Sequence, residues 1–386
     1  MIFDLPQNVN YVLDTLIKNG HKAYIVGGCV RDLLCGKEPH DYDITTSALP
    51  QDTQKLFDKT ISTGLKHGTV TVVVNREMIE VTTFRTESEY KDGRHPDGVH
   101  FVTDVKDDLA RRDFTVNAMC YNQSDGLIDH FGGAIDIKQR LLRAVGDPKI
   151  RFNEDALRIL RLFRFASTLG FEIESKTFDA AIDCAPLLKN ISAERIFTEL
   201  QKTAIGKKPD VLRPLLCTGA LDGYALKATD LTVIQNLENK PLLRTFALFN
   251  LCSNNLTHTL DALKCSNSFK DYCIKMQYFI SKIIDPDKIS LKRALGFADN
   301  NIVNDVLIYY RDAFCIDITQ YTALLKEITD KCEPYKISQL DISGSDIKAL
   351  GFDGKAVGER LEFLLDKVIQ SPDLNNRQNL INLICN

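Results

Sequence analysis

The feature that most constrains this chain is a change of hydrophobic period near residue 150. Before it, short β-rich runs (KAYIVGG, DYDITTS, HGTVTVVV, MIEVTTFR) alternate with helical stretches, separated by glycines or charged turns. Alternation of this kind reads as strands. From Asn153 onward the period is helical almost without interruption, through EDALRILRLFRFASTLG, SAERIFTELQKTAIG and further amphipathic segments to Asn386. The expected fold class is therefore α+β, with a mixed α/β head over 1–150 and an all-helical remainder. At 386 residues the chain exceeds one hydrophobic core. Gly and Pro clusters near Pro209, Asp285 to Lys288 and Cys332 to Tyr335 divide the remainder into a neck (151–213), a body (214–332) and a tail (333–386).

Composition excludes several classes. No run approaches 18 uncharged apolar residues, and the opening MIFDLPQNVN has neither a basic nor an apolar leader region. A membrane span or secretion signal is therefore not expected, and the cytosol is the expected compartment. Eleven cysteines without a CxxC pair argue against a disulfide framework or a zinc site and read as buried small hydrophobes. The net charge of -4 gives no footprint of a general nucleic-acid binder. Only 151–213 is net basic, with 11 Lys and Arg against 9 Asp and Glu, so a polynucleotide partner must be held locally.

Ala23 to Asp32 reads AYIVGGCVRD, an apolar strand that ends in two glycines and enters a helix with an arginine in its first turn. Gly28 and Arg31 thus offer free backbone N–H groups and a cation together, as a phosphate cradle does. Asp41-Tyr42-Asp43 follows in a β-prone run. On a strand, residues i and i+2 share a face about 6.6 Å apart, so Asp41 and Asp43 can converge on a divalent cation. Such a cation would bridge a triphosphate and an attacking hydroxyl, the two-metal logic of nucleotidyl transfer. A third carboxylate is expected on an adjacent strand. Glu80, in MIEVTTFR, fits that position and fits equally an outward-facing strand residue.

Arg111 to Ala118 reads RRDFTVNA, which packs two cations, a carboxylate and an amide around a phenylalanine. Arg112 suits bidentate contact with phosphate, and Asp113 suits a ribose hydroxyl. GGCVRD, DYD and RRDFTVNA in this order resemble the head domain of the tRNA nucleotidyltransferase (CCA-adding) and bacterial poly(A) polymerase family. The resemblance continues through Asn153 to Arg158 (NEDALR), similar to the family's EDxxR motif, and Ser192 to Leu200 (SAERIFTEL), similar to its ERxxxEL helix. It extends more loosely to Ile342 to Asp346 (ISGSD) and Leu350 to Gly354 (LGFDG).

In NEDALR, Asn153 is an expected N-cap, which puts Asp155 and Arg158 on one helical face at i, i+3. An acceptor beside a donor matches a base edge that shows an amino group beside an unprotonated ring nitrogen. Cytosine and adenine have this edge, while uracil and guanine do not. The family assigns this reading role to the same positions. The resemblance also carries Arg161 and Arg164 into the nucleotide site, while Leu157, Leu160 and Phe163 are expected in the core. Glu194 and Glu199 are expected partners for neck arginines. The polar stretch from Arg85 to Gly98 is too charged for a strand and reads as a mobile loop, which the family needs for adding A.

Taken together, the resemblance implies an enzyme that adds CCA to tRNA 3′ ends from CTP and ATP. Asp41, Asp43 and Glu80 would hold Mg²⁺, and Gly28, Arg31 and Arg112 would meet the triphosphate. The helical half would grip the acceptor and T-arm region. Neither a DNA nor a membrane partner is expected, and the enzyme is expected as a monomer or homodimer. An A-only enzyme or poly(A) polymerase shares these motifs, and a non-catalytic RNA-binding relative would keep the fold. After Asn122 the histidines are His130 and His258, too few for a second, metal-dependent hydrolase site.

Overall fold

The computed structural model describes residues 2–87 and 99–385. It divides into two compact units, Met1–Leu231 with Cys252–Lys264, and Thr232–Leu251 with Cys265–Asn386. The head and neck of the sequence reading fall in one unit, without a division near residue 150.

The first unit opens with α1 (Gln7–Lys18), whose Val9, Val12, Leu13 and Leu16 point inward on a helical period. Seven strands form its sheet: β1 (Ala23–Val26), β2 (Asp43–Thr46), β3 (Thr60–Gly64), β4 (Thr69–Val74), β5 (Glu77–Thr83), β8 (Cys120–Asn122) and β9 (Gly126–Ile128). Their order is β3-β4-β5-β2-β1-β8-β9. β2 and β5 run parallel, while the other neighbouring pairs are antiparallel. β1 is buried along its whole length, as a central strand requires, and β5 alternates, with Ile79 and Val81 buried and Glu80 exposed. Tyr24, Val26, Phe84, Val105, Leu109 and Cys120 form one apolar core.

A separate antiparallel pair, β6 (Arg85–Glu87) and β7 (Val99–Phe101), corrects the expectation that no strand begins at Arg85. Backbone pairing there overrides the polar composition. Residues 88–98, with the core of the expected mobile loop (Tyr90 to Asp97), lie outside the described residues.

Four short helices complete the head: α2 (Gly28–Leu34), α3 (Pro50–Leu56), α4 (Val105–Ala110) and α5 (Gly133–Gln139). The neck contributes α6 (Pro148–Glu154), α7 (Leu157–Leu169), α8 (Ser175–Cys184) and α9 (Ala193–Ala204). α7 buries Leu157, Leu160 and Phe163 as expected, and packs on α9, which buries Ile196, Leu200 and Ala204. Ser167 Oγ on α7 donates to the Thr203 carbonyl at 2.8 Å. The neck is not wholly helical, because β10 (Leu141–Leu142) pairs in parallel with β11 (Glu172–Ile173).

The regular elements among the second unit's described residues are all helices. Ile347, Leu364, Val368 and Leu380 anchor the core of the tail. There ISGSD starts a helix: Ser343 Oγ accepts from the Asp346 N–H, and the Asp346 carboxylate accepts from the Ser343 N–H. Lys292, 1% exposed, is paired with Glu333. All eleven cysteines are free thiols; Cys217, Cys315, Cys332 and Cys385 are exposed, so burial accounts for only part of the set. Among the described residues no helix is long and apolar enough to cross a membrane.

Candidate active site

In the first unit, a cleft of about 490 Å³ is lined by Gly27, Gly28, Arg31, Asp43, Asp113, Asp155, Arg158, Arg161 and Arg164, with Arg111, Arg112, Asn117, Leu157, Phe165 and Arg195. Seven arginines face three aspartates there. A chain with net charge -4 therefore concentrates positive charge in its cleft.

The β1–α2 turn enters the cleft through Gly27, whose φ of 81° and ψ of -123° are open only to glycine. A Cβ there would lie 2.8 Å from Arg112 Nη1, whereas one on Gly28 would make an ordinary 3.6 Å contact with Arg31. Gly27 is thus the residue the turn cannot change, although the sequence reading singled out Gly28. Arg31 Nη1 donates to Asn117 Oδ1 at 2.7 Å, and its Nε and Nη2 hold Asp32.

β2 begins at Asp43, so Asp41 lies just before the strand and not on it. The expected i, i+2 strand geometry is therefore not the one observed. Glu80 stands directly opposite Asp43 in the parallel β2–β5 register. Burial raises the Asp43 carboxyl above its ordinary value, the neighbouring Glu80 and Asp41 add to this, and Arg112 works against it. Among the described residues no group of three or more His, Cys, Asp or Glu is arranged to hold a metal ion.

Asp108, which the sequence reading missed, is fully buried under the two arginines of RRD. Burial pushes its carboxyl up, but Arg111 (2.8 Å) and Arg112 (3.4 Å) outweigh this and hold it below the usual range. Asp113 is occupied inside the protein. Its Oδ2 accepts from Arg161 Nε at 2.8 Å and Nη2 at 2.5 Å, and its Oδ1 accepts from the Phe114 N–H and from Asn117 Nδ2. Burial opposes ionisation, yet Arg161 and these donors hold the carboxyl at about 2. A ribose contact would have to displace one of them, so the geometry makes Asp113 the anchor of Arg161.

The EDALR segment departs most from expectation. The helix begins at Pro148, capped by Asp147, whose carboxylate accepts from the Lys149 and Ile150 N–H groups; Asn153 lies inside it. That Asp-Pro signal was present in the sequence. The chain breaks at Asp155 (φ -140°, ψ 104°) before α7 begins. Asp155 and Arg158 are therefore not an i, i+3 pair on one helix. Asp155 Oδ1 accepts from the Leu157 N–H and Oδ2 from Arg195 Nη2, both at 3.0 Å. Arg158 is held by Glu154 at 2.6 Å and by the Arg151 and Arg111 carbonyls. The two still meet at one cleft. Glu199 pairs with Arg164 at 2.7 Å as expected, whereas Glu194 pairs with Lys264.

Within the cleft, Arg112 Nε and Arg195 Nη1 are buried without a hydrogen-bond partner among the described residues, whereas Arg164 Nε stands 2.7 Å from Glu199. Buried unpaired donors are costly, about 1–3 kcal/mol each, unless a ligand satisfies them. Guanidiniums short of acceptors suit a polyphosphate.

A mixed sheet that brings carboxylates to the edge of an arginine-lined cleft defines the class as nucleotidyltransferase. Residues 23–143 match the family described as "Poly A polymerase head domain", and residues 170–223 match "Probable RNA and SrmB- binding site of polymerase A". The chain is 38% identical over 381 residues to a CCA-adding enzyme of Lactococcus lactis subsp. lactis, covering 95% of this chain and 94% of the relative. It is 40% identical over 307 residues to a CCA-adding enzyme of Lactobacillus helveticus, covering 76% of each. The crystal structure of the Bacillus stearothermophilus CCA-adding enzyme in complex with CTP superposes with a TM-score of 0.83 at 31% identity, over 96% of this chain and 94% of that one. A Thermotoga maritima CCA-adding enzyme complexed with tRNA_CCA shares the fold at a TM-score of 0.66 and 19% identity, over 99% and 96%. The chain belongs to the family of CCA-adding enzymes.

Proposed function

We propose that this chain adds C, C and A in turn to the 3′ end of tRNA, using CTP and ATP without a nucleic-acid template, in the cytosol. The observation that carries this reading is the meeting of GGCVRD, DYD, RRD and EDALR at one arginine-lined cleft, where buried donors of Arg112 and Arg195 have no acceptor among the described residues. The tRNA 3′-hydroxyl attacks the α-phosphorus, the α–β phosphoanhydride breaks, and pyrophosphate leaves. Arg31, Arg112, Arg161 and Arg164 hold the triphosphate, with Gly27 and Gly28 letting the backbone approach it.

Asp41, Asp43 and Glu80 offer only hard oxygen donors, and the mutual repulsion around Asp43 suits a cation beside it. Mg²⁺ is commonly held by one or two carboxylates and completed by substrate phosphates, so a three-ligand protein cage is not required. When bound, it would neutralise charge on the phosphates of both nucleotide and leaving group.

Each oxygen of Asp155 accepts one hydrogen bond from the protein and keeps capacity for a base amino group. Arg158, fixed by Glu154, stands at the same cleft for the unprotonated ring nitrogen. Uracil and guanine present a carbonyl to Asp155 and lose out. The helical half, including 170–223, meets the tRNA acceptor and T-arm by shape and phosphate contacts.

The test is extension of end-labelled tRNA lacking CCA. CTP alone should give CC, and CTP with ATP should give CCA. No CC from CTP, with A added only to a tRNA already ending in CC, would overturn the reading in favour of an A-only enzyme, and incorporation of ATP alone into long tracts would overturn it in favour of a poly(A) polymerase.

A further inference from the structure

Phe165, on α7 and 6% exposed, lines the cleft between three guanidiniums. The guanidinium carbons of Arg164, Arg161 and Arg31 lie 4.0, 5.3 and 5.4 Å from its ring centroid. Each arginine also has its own carboxylate anchor: Arg31 holds the adjacent Asp32 on α2, Arg161 holds Asp113, and Arg164 holds Glu199 on α9. The three anchors are dispersed, whereas the Phe165 ring lies within 5.4 Å of all three guanidinium carbons. Like charges so close oppose one another: the charged form of Arg164 is disfavoured mainly by burial, Glu199 works against this, and Arg161 and, more weakly, Arg31 add to it while Asp113 opposes them. A phenyl face carries negative quadrupole density, which offsets that repulsion without offering an acceptor that would compete with phosphate. The ring is in turn fixed edge-on by the fully buried Phe114 of the RRDF segment, at 5.8 Å and 82°.

We infer that Phe165 is a positioning residue for triphosphate binding, whose ring gathers Arg31, Arg161 and Arg164 toward one point in the cleft. This rests on the reading of the cleft as the nucleotide site. It makes the affinity for the polyphosphate part of a nucleotide depend on the electron density of one aromatic ring, independently of the base.

The test compares the full-length parent, Phe165→Tyr, Phe165→Met and a series carrying one, two or three ring fluorines at position 165. Fluorination withdraws quadrupole density at nearly constant shape, so it separates charge attraction from packing. Binding is read by calorimetry with inorganic tripolyphosphate, CTP and ATP, and kinetics with tRNA lacking CCA. Affinity for all three ligands should fall stepwise with fluorine number, reaching about 5- to 30-fold in Phe165→Met. KM for CTP and ATP should rise together, with kcat and the preference for CTP over UTP unchanged. Phe165→Tyr should bind like the parent. A fluorinated series that binds as tightly as the parent, or a loss confined to Phe165→Met, would show that the ring only packs and would overturn the inference. A parent that binds neither tripolyphosphate nor CTP would overturn the reading of the cleft itself, and the inference with it.

Discussion

Exchanging one glycine of the Gly27-Gly28 pair for alanine separates backbone demand from ligand contact. At Gly27 an alanine must adopt φ 81° and ψ -123°, a region that costs a non-glycine residue of order 1–3 kcal/mol. Its Cβ would also stand 2.8 Å from Arg112 Nη1, so the guanidinium must move. That movement loosens the 3.4 Å contact with buried Asp108, which keeps Arg111, so roughly 1 kcal/mol more is lost. Together Gly27→Ala should destabilise the first unit by about 2–4 kcal/mol, lowering its thermal midpoint by roughly 4–16 °C. It should also raise KM for CTP and ATP, because Arg112 is displaced. Gly28→Ala has a helical backbone and an ordinary 3.6 Å contact, so its stability should stay within about 0.5 kcal/mol of the parent. Any effect there should appear in KM alone. Scanning calorimetry with steady-state kinetics on both variants decides. A Gly27→Ala variant as stable as the parent, or equal losses in the two variants, would refute the reasoning.

Asp41→Ala and Asp43→Ala should each abolish addition of both C and A while tRNA binding by gel shift stays largely intact; turnover in either would remove these residues from the reaction. Asp155→Ala should shrink the preference for CTP over UTP by about 5- to 150-fold, the worth of a hydrogen bond of roughly 1–3 kcal/mol. Arg158→Ala should act in the same direction, and the double variant should cost less than the two effects combined, whereas strict additivity would place base selection elsewhere. The Asp113 carboxyl, held at about 2 against 3.8, contributes about 2 kcal/mol of stability that is complete above pH 4 and lost as the pH falls toward 2. Asp113→Asn should therefore be less stable than the parent near neutral pH, with a gap that narrows between pH 4 and 2 in thermal melts; a gap independent of pH would mean that Asp113 is not ionised in the fold.

What the sequence determined by itself is what depends on neighbours in the chain. The change of period near residue 150 announced a sheet-bearing head and a helical remainder, because burying one face imposes a spacing of two on strands and about 3.6 on helices. GGCVRD, DYD, RRD and EDALR named ten of the fifteen residues that line the cleft, since their chemistry is carried by residue types at short range. Tertiary structure decided everything that rests on partners far apart in sequence. Register alone sets Glu80 beside Asp43. The break at Asp155, where the sequence reading continued a helix, goes with a side chain that bonds forward to Leu157 and across to Arg195, 40 residues on. Asp113 is an anchor for Arg161 on α7, which reaches it across 48 residues, a partnership that RRD alone does not encode. Phe165 carried no signal beyond an apolar place on a helix. Its meeting with arginines from two elements exists only once α2 and α7 face the same cleft, because a guanidinium and a ring interact by distance and orientation, neither of which local spacing encodes.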